Sequence, residues 1–276
     1  MTLDILPDKR SDGYHEISTI MQTIKLADIL ELSEISSGIK FNMDASEIIG
    51  GEDIPTDEKN LVYRAAVAVS EFCGKNFGVS INLQKKIPTG AGLAGGSSDA
   101  AGVIRGMNRL FNLRLTNEEL CKIAEKVGSD VPYCINGGTC LAEGRGEKLT
   151  RLPDLKNFSV VLVKPRGEIS TAWAYKTFDE LPEPEHLPTA EIVELLNGGE
   201  YETAFKKFAN VFELVAVKKI PAIEKYKNKM IAAGAKVALM SGSGSSIFAL
   251  TDKDNVEKIV SDIEGQGGQI FITETC

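Results

Sequence analysis

The chain of 276 residues carries 31 Lys and Arg against 39 Asp and Glu, a formal net charge of −8, which excludes a broad nucleic-acid-binding field but leaves room for a local basic site for a small phosphate ligand. Its 43% apolar and 25% charged content is that of a soluble globular protein, no stretch reaches the roughly 18 apolar residues of a membrane span, and MTLDILPDKR lacks the order of a signal peptide, so a cytoplasmic protein without a membrane partner is expected. Five cysteines without a CxxC pair and two histidines form no metal-ligand cluster, so reduced structural thiols are expected and any metal would arrive with a nucleotide.

In chain order, Leu3–Leu6 reads as a short strand and Pro7–Gly13 as a turn-rich loop, with His15 at its exit. The alternating, β-branched run Ile17–Ile35 predicts strands with a break near Ala27-Asp28. Residues 36–58 are polar and acidic, with Gly50-Gly51 as a flexible break, and read as a surface excursion. Asn60 then opens an amphipathic helix that runs through Phe72, with Asn60 near its start.

An apolar strand, Val79–Leu83, leads into KKIPTGAGLAGGSSDAA, Lys85–Ala101. Glycines at 90, 92, 95 and 96 let successive N–H groups turn toward one point. Ser97, Ser98 and Asp99 stand where N-cap chemistry is expected, and the run Ala100–Phe111 is helical in spacing. A helix start adds unpaired donors and the positive end of its dipole, so the stretch makes a site for an anion. It is no Walker loop, because Gly-Ser-Ser closes it where Gly-Lys-Ser/Thr is required. Gly90, Gly92 and Gly95 fit GxGxxG, but no acidic residue ends a second clear strand at the usual offset for a dinucleotide fold.

Leu115–Val127 predicts a helix with Thr116 as N-cap, Glu119 at N3 of a capping box and Gly128 at the C-cap. Ser129–Pro132 reads as a short acidic turn in which Asp130 is either a turn former or a chemical group. Tyr133–Leu149 reads as hairpin strands split at Gly137-Gly138. Further on come a buried strand (Phe158–Val163), a helix (Thr171–Phe178), and a surface loop marked by Pro182, Pro184 and Pro188. Helices Thr189–Leu196, Glu200–Phe208 and Pro221–Ala233 follow. Two apolar strands flank Ser241–Ser245, whose five small residues exceed what a hairpin turn uses and point to packing against a substrate or the phosphate loop. A helix (Asn255–Ile263) and a strand (Gln269–Thr273) complete a ferredoxin-like order.

Pro88–Ala101 resembles the phosphate-binding motif of the GHMP kinases, the superfamily of galactokinase, homoserine kinase and mevalonate kinase. Asp12-Gly-Tyr-His-Glu16 and Gly128-Ser-Asp-Val-Pro132 extend the likeness over most of the chain. The resemblance implies an α+β GHMP kinase fold. A ribosomal-protein-S5-like N-terminal half, 1–150, would bind ATP, and a ferredoxin-like C-terminal half, 151–276, would form part of the substrate wall. It implies ATP-dependent phosphorylation of an alcohol, with Mg²⁺ entering with ATP. The triphosphate would lie on Pro88, Gly90, Ala91, Gly92, Leu93, Ala94, Gly95, Gly96, Ser97 and Ser98. Asn60, Lys85 and Asn108 would lie near the adenine, and Asp130 would be the catalytic carboxylate. The form of the motifs implies a small-molecule acceptor, cytidine diphosphate methylerythritol. Tyr14 and His15 would lie at its cytidine end, Tyr175 against the cytosine, and Gly242 and Ser243 along the substrate.

Read without the resemblance, Asn60 serves as an N-cap, Lys85 as a solvated strand end and Tyr175 as a core aromatic. The chain also departs from the family, which opens with an Ala-Lys-Ile/Leu-Asn-Leu strand whose Lys lies beside the catalytic Asp. Here Leu3–Leu6 matches the end of that strand and the Lys is absent, which predicts a severely lowered rate. Two other readings stay open: a GHMP kinase acting on a mevalonate- or homoserine-type alcohol, and a nucleotide-binding protein of this fold without catalysis.

Overall fold

A computed structural model describes residues 1–10, 13–48, 54–155, 157–182 and 185–276. Asp12, the Gly50-Gly51 break and Pro184 lie outside them. The chain divides into two units, one made of residues 26–89 and 94–137, the other of 1–25, 90–93 and 138–276.

In the first unit, strands β3 (Ile29–Glu34), β4 (Ile39–Asp44) and β5 (Val79–Gln84) form a sheet with β5 at its centre, antiparallel to β3 and parallel to β4. Val79, Ile81 and Leu83 are buried, and their period of two turns one face of β5 into the core. Helices α1 (Leu61–Cys73), α2 (Gly95–Leu110), α3 (Asn117–Val127) and α4 (Val131–Asn136) complete the unit. Their apolar stripes, Val62, Val69, Ile104, Met107 and Ile123 among them, share one core with the sheet. Deleting a large aliphatic side chain from such a core costs about 2–5 kcal/mol. Gly102 and Gly106 let α2 lie close on β3. A Cβ at Gly102 would stand 2.6 Å from Leu30, and one at Gly106 2.9 Å from Leu32.

Two local expectations change here. Residues 36–58 contain β4, because Ile39, Phe41 and Met43 are half-buried on one face while the polar residues between them point outward. Tyr133–Asn136, expected as strand, is helical: α4 carries Pro132 in its first turn, where a missing N–H costs nothing.

In the second unit, β1 (Thr2–Lys9), β2 (His15–Gln22), β6 (Thr139–Gly144) and β7 (Lys148–Arg151) form an antiparallel sheet in that order. β1 runs past Pro7, where a loop was expected. A register shift between Ile5 and Lys9 accommodates a residue that cannot donate to the ladder. The β6–β7 hairpin turns at 145–147, where the Arg145 N–H donates to Glu147, and not at Gly137-Gly138.

The other sheet of this unit has the order β11 (Gln269–Glu274), β8 (Ser159–Lys164), β10 (Ile247–Thr251), β9 (Val237–Met240), with every pair antiparallel. Helices α5 (Thr171–Phe178), α6 (Thr189–Asn197), α7 (Tyr201–Phe205), α8 (Glu213–Lys219) and α9 (Ala222–Ala232) lie between β8 and β9, and α10 (Val256–Ile263) between β10 and β11. This is the expected ferredoxin-like order, and the fold class is α+β. α7 stops at Phe205, short of the predicted Phe208, and α8 was not anticipated. The core runs from Ile5 and Ile17 through Val161 and Val163 to Phe212, Tyr226 and Ile259. Among the described residues no helix is long and apolar enough to cross a membrane.

Candidate active site

The start of α2 differs from its prediction in a way that sharpens its chemistry. Helix geometry begins at Gly95, the N-cap is Ala94 in left-handed backbone (φ 52°), and no side chain caps it. A non-glycine residue held there costs about 1–2 kcal/mol. Ser97, Ser98 and Asp99 therefore lie within the first turns. The first intrahelical bond runs from the Ser98 N–H to the Ala94 carbonyl at 2.8 Å, so the N–H groups of Gly95, Gly96 and Ser97 have no partner among the described residues. Those three donors and the helix dipole converge on the position an anion would occupy.

Beneath this turn lies a buried ion triad. Lys85 donates to Asp28 at 2.5 Å and to Asp99 at 2.8 Å, while the other Asp28 oxygen accepts the N–H groups of Lys86 and Ile87 at 2.5 and 2.8 Å. All three side chains are buried. Burial pushes the Asp99 carboxyl up to about 7. Attraction to Lys85 opposes that shift, and repulsion from Asp28 reinforces it.

Asp130 is the N-cap residue of α4, but its side chain makes no capping bond. Its carboxylate has no hydrogen-bond partner among the described residues. Although solvent reaches it, the surrounding protein displaces enough water to raise its pKa above the ordinary carboxylate range. One turn on, the Cys134 thiol is pushed up to about 12, first by burial and then by the charges of Asp130 and Asp99. The same cysteine thus feels the charges of both the catalytic candidate and Asp99 of α2.

In the other unit, Gly90–Leu93 is stitched to the Ser241–Ser246 turn. The Ser241 hydroxyl donates to the Gly92 carbonyl at 2.8 Å and the Ser246 N–H to the Ala91 carbonyl at 3.2 Å. Gly92 (φ 70°) is obligatory, since a Cβ there would stand 2.0 Å from the Ser241 carbonyl oxygen. Asn210 holds the turn from behind. Its amide donates to the Met240 and Gly242 carbonyls, both at 2.8 Å, and its oxygen accepts the Phe212 N–H at 3.0 Å.

An aromatic group occupies the same unit. His15 stacks on Tyr175 with ring centroids 5.2 Å apart and planes 16° apart. Tyr175 meets Phe212 edge-on at 4.9 Å. The His15 Nε2 lies 3.0 Å from an Asp179 carboxylate oxygen. Tyr14 is 59% exposed, with the Arg145 guanidinium 5.4 Å from its ring centre, a cation–π contact.

Residues 60–138 match the family description "GHMP kinases N terminal domain" and residues 192–268 "GHMP kinases C terminal". The chain is 41% identical over 265 residues to 4-diphosphocytidyl-2-C-methyl-D-erythritol kinase of Exiguobacterium sibiricum, spanning 96% of this chain and 91% of that one. The protein of the same name from Clostridium kluyveri is 42% identical over 276 residues, 100% of this chain and 96% of that one. The chain belongs to the GHMP kinases. A crystal structure of 4-(cytidine 5'-diphospho)-2C-methyl-D-erythritol kinase is similar to this GHMP kinase with a TM-score of 0.81 at 32% identity, covering 99% of this chain and 95% of that one.

The residues singled out in the sequence fall in this GHMP kinase as follows. His15 and Tyr175 come together, as do Gly90–Leu93 and the turn carrying Gly242 and Ser243. The Ser243 hydroxyl lies 3.1 Å from that of Thr171 at the start of α5. Asn60 caps α1, accepting the Val62 N–H at 2.9 Å, and a Cβ at Gly96 would touch its neighbour Leu61. Lys85 turns its ammonium inward to the triad. Pro88 is buried beside Ile87, before the loop. Asn108 stands apart: thirteen residues of α2 beyond Gly95 is about 20 Å of helix, and its amide is committed to both backbone groups of Leu115. Sequence reasoning missed Asp28, Arg145 and Asp179. Their partners are distant in sequence, and no local pattern marks them.

Proposed function

We propose that this GHMP kinase transfers the γ-phosphoryl group of ATP to the 2-hydroxyl of 4-diphosphocytidyl-2-C-methyl-D-erythritol, giving the 2-phosphate and ADP in the non-mevalonate route to isoprenoid precursors, and that it works in the cytoplasm. What supports the substrate over other alcohols is the stacked pair of His15 and Tyr175, with the exposed Tyr14 next to His15 in the chain. A nucleobase needs such aromatic faces; mevalonate and homoserine have none to offer them.

In this reading the N–H groups at the start of α2 hold phosphate oxygens. The exposed Ser98 hydroxyl suits a divalent cation bound chiefly by phosphate oxygens, since Mg²⁺ takes few protein ligands in phosphotransfer sites. When bound, the ion neutralises charge on the transferring group. Asp130, free of its own helix, accepts the proton of the acceptor hydroxyl or orients it, and the raised pKa from desolvation makes it a better base than a solvated carboxylate.

Competition by CMP or CDP tests the substrate. Either nucleotide is expected to compete with the acceptor and not with ATP. Failure of both to compete, together with turnover of mevalonate or homoserine, would move the protein to another GHMP acceptor.

A further inference from the structure

We propose that Asp179 makes the base site selective for an amino-bearing pyrimidine by fixing the tautomer of His15. The inference rests on the reading above that His15 meets the base, and adds which residue decides what the imidazole accepts.

An ionised carboxylate can only accept hydrogen bonds. With Asp179 Oδ1 3.0 Å from His15 Nε2, the ring nitrogen facing it is the N–H. Nδ1 is left with its lone pair, and it has no hydrogen-bond partner among the described residues. The ring is not free to turn over. It is 10% exposed and stacked on Tyr175. Tyr175 is wedged edge-on against Phe212, and Phe212 meets Phe178 at 6.1 Å. One helix turn supplies both constraints: the Asp179 N–H donates to the Tyr175 carbonyl at 3.0 Å at the end of α5, so Tyr175 gives His15 its stacking face and Asp179 its edge.

An acceptor at Nδ1 matches the exocyclic amine of cytosine. Uracil presents a carbonyl oxygen at that position, and two acceptors would then face each other with neither satisfied. Sites built to bond a substrate N–H or O–H reject the analogue that lacks it by large factors, so a preference for CMP over UMP of about 100-fold is expected. The device differs from the stacking rings, which hold any pyrimidine equally well.

The test uses the full chain as wild type, Asp179→Asn and Asp179→Ala. CMP and UMP affinities are measured by calorimetry at pH 8, and ¹⁵N NMR reads the protonation of the His15 ring nitrogens. The wild-type spectrum is expected to show Nε2 protonated and Nδ1 bare. Removing the carboxylate is expected to lower the CMP-to-UMP preference at least about tenfold, chiefly through weaker CMP binding, while ATP affinity stays the same. A wild-type Nδ1 that carries the proton, or a preference unchanged in both variants that still bind CMP, would overturn the proposal alone. A wild type that binds neither nucleotide would overturn the base-site reading, and the proposal with it.

Discussion

Asp130 keeps its carboxylate out of the capping role that its position at the head of α4 would allow. Asp130→Asn is therefore expected to fold normally, bind both substrates and lose about 10²–10⁴-fold in kcat, measured by steady-state ADP release; near-normal turnover would remove Asp130 from the chemistry. Because desolvation raises its pKa and the base must be ionised, activity should fall as pH drops, starting above the usual carboxylate range near 4. Asp99 has the opposite consequence for stability. Its folded pKa of about 7 lies above its ordinary 3.8, so between those values the folded state holds a proton that the unfolded state has released. Stability should decline as pH rises through that window. Asp99→Asn is expected to flatten the decline and raise Tm more at pH 8 than at pH 5; thermal melts across that range check it. At this scale Asp130 stood out as a candidate because Gly128–Pro132 is a local motif. Asp28 and Asp179 were not, because each acts on a residue that only the tertiary fold brings near, 57 positions away for Asp28 and Lys85.

At the scale of elements, the glycine loop and the Ser241–Ser246 turn behave as one piece of backbone. Gly92→Ala would drive a Cβ into the Ser241 carbonyl in a backbone region that L-residues avoid. It is expected to raise the KM for ATP at least about tenfold, since a displacement of about 1 Å can cost 10²-fold. Initial-rate kinetics at varied ATP would show it. Asn210→Ala strands the buried Met240 carbonyl and the half-buried Gly242 carbonyl and should destabilise the fold by about 1–3 kcal/mol, read from the urea midpoint. The expectation that 241–245 packs against a ligand or the phosphate loop rested on its surplus of small residues, and its contact with Gly92 and Ala91 is the part now visible. β4 escaped detection because Lys40, Asn42 and Asp44 on its outer face dominate the composition of the segment. α2 begins earlier than its serines suggest because Ala94, not a capping side chain, sets the turn.

At the scale of the whole chain, the alternation of strands and helices after residue 158 was enough to read the ferredoxin-like order, which β11-β8-β10-β9 bears out. The way each unit gathers distant segments was not legible. Residues 1–25, 90–93 and 138–276 build one body, and no local propensity announces that β2 pairs with β6 across more than a hundred residues. Membership in the GHMP kinases makes phosphoryl transfer to an alcohol the family chemistry, and in the proposed reading the aromatic group around His15 chooses among the alcohols. The most direct measurement is ADP release from Mg-ATP with 4-diphosphocytidyl-2-C-methyl-D-erythritol, run beside mevalonate and homoserine and repeated with Asp130→Asn. ADP should appear in step with loss of the cytidine substrate alone, be suppressed by CMP, and all but vanish in the variant. Comparable release with mevalonate or homoserine, or bound substrate and ATP with no ADP formed, would contradict the account.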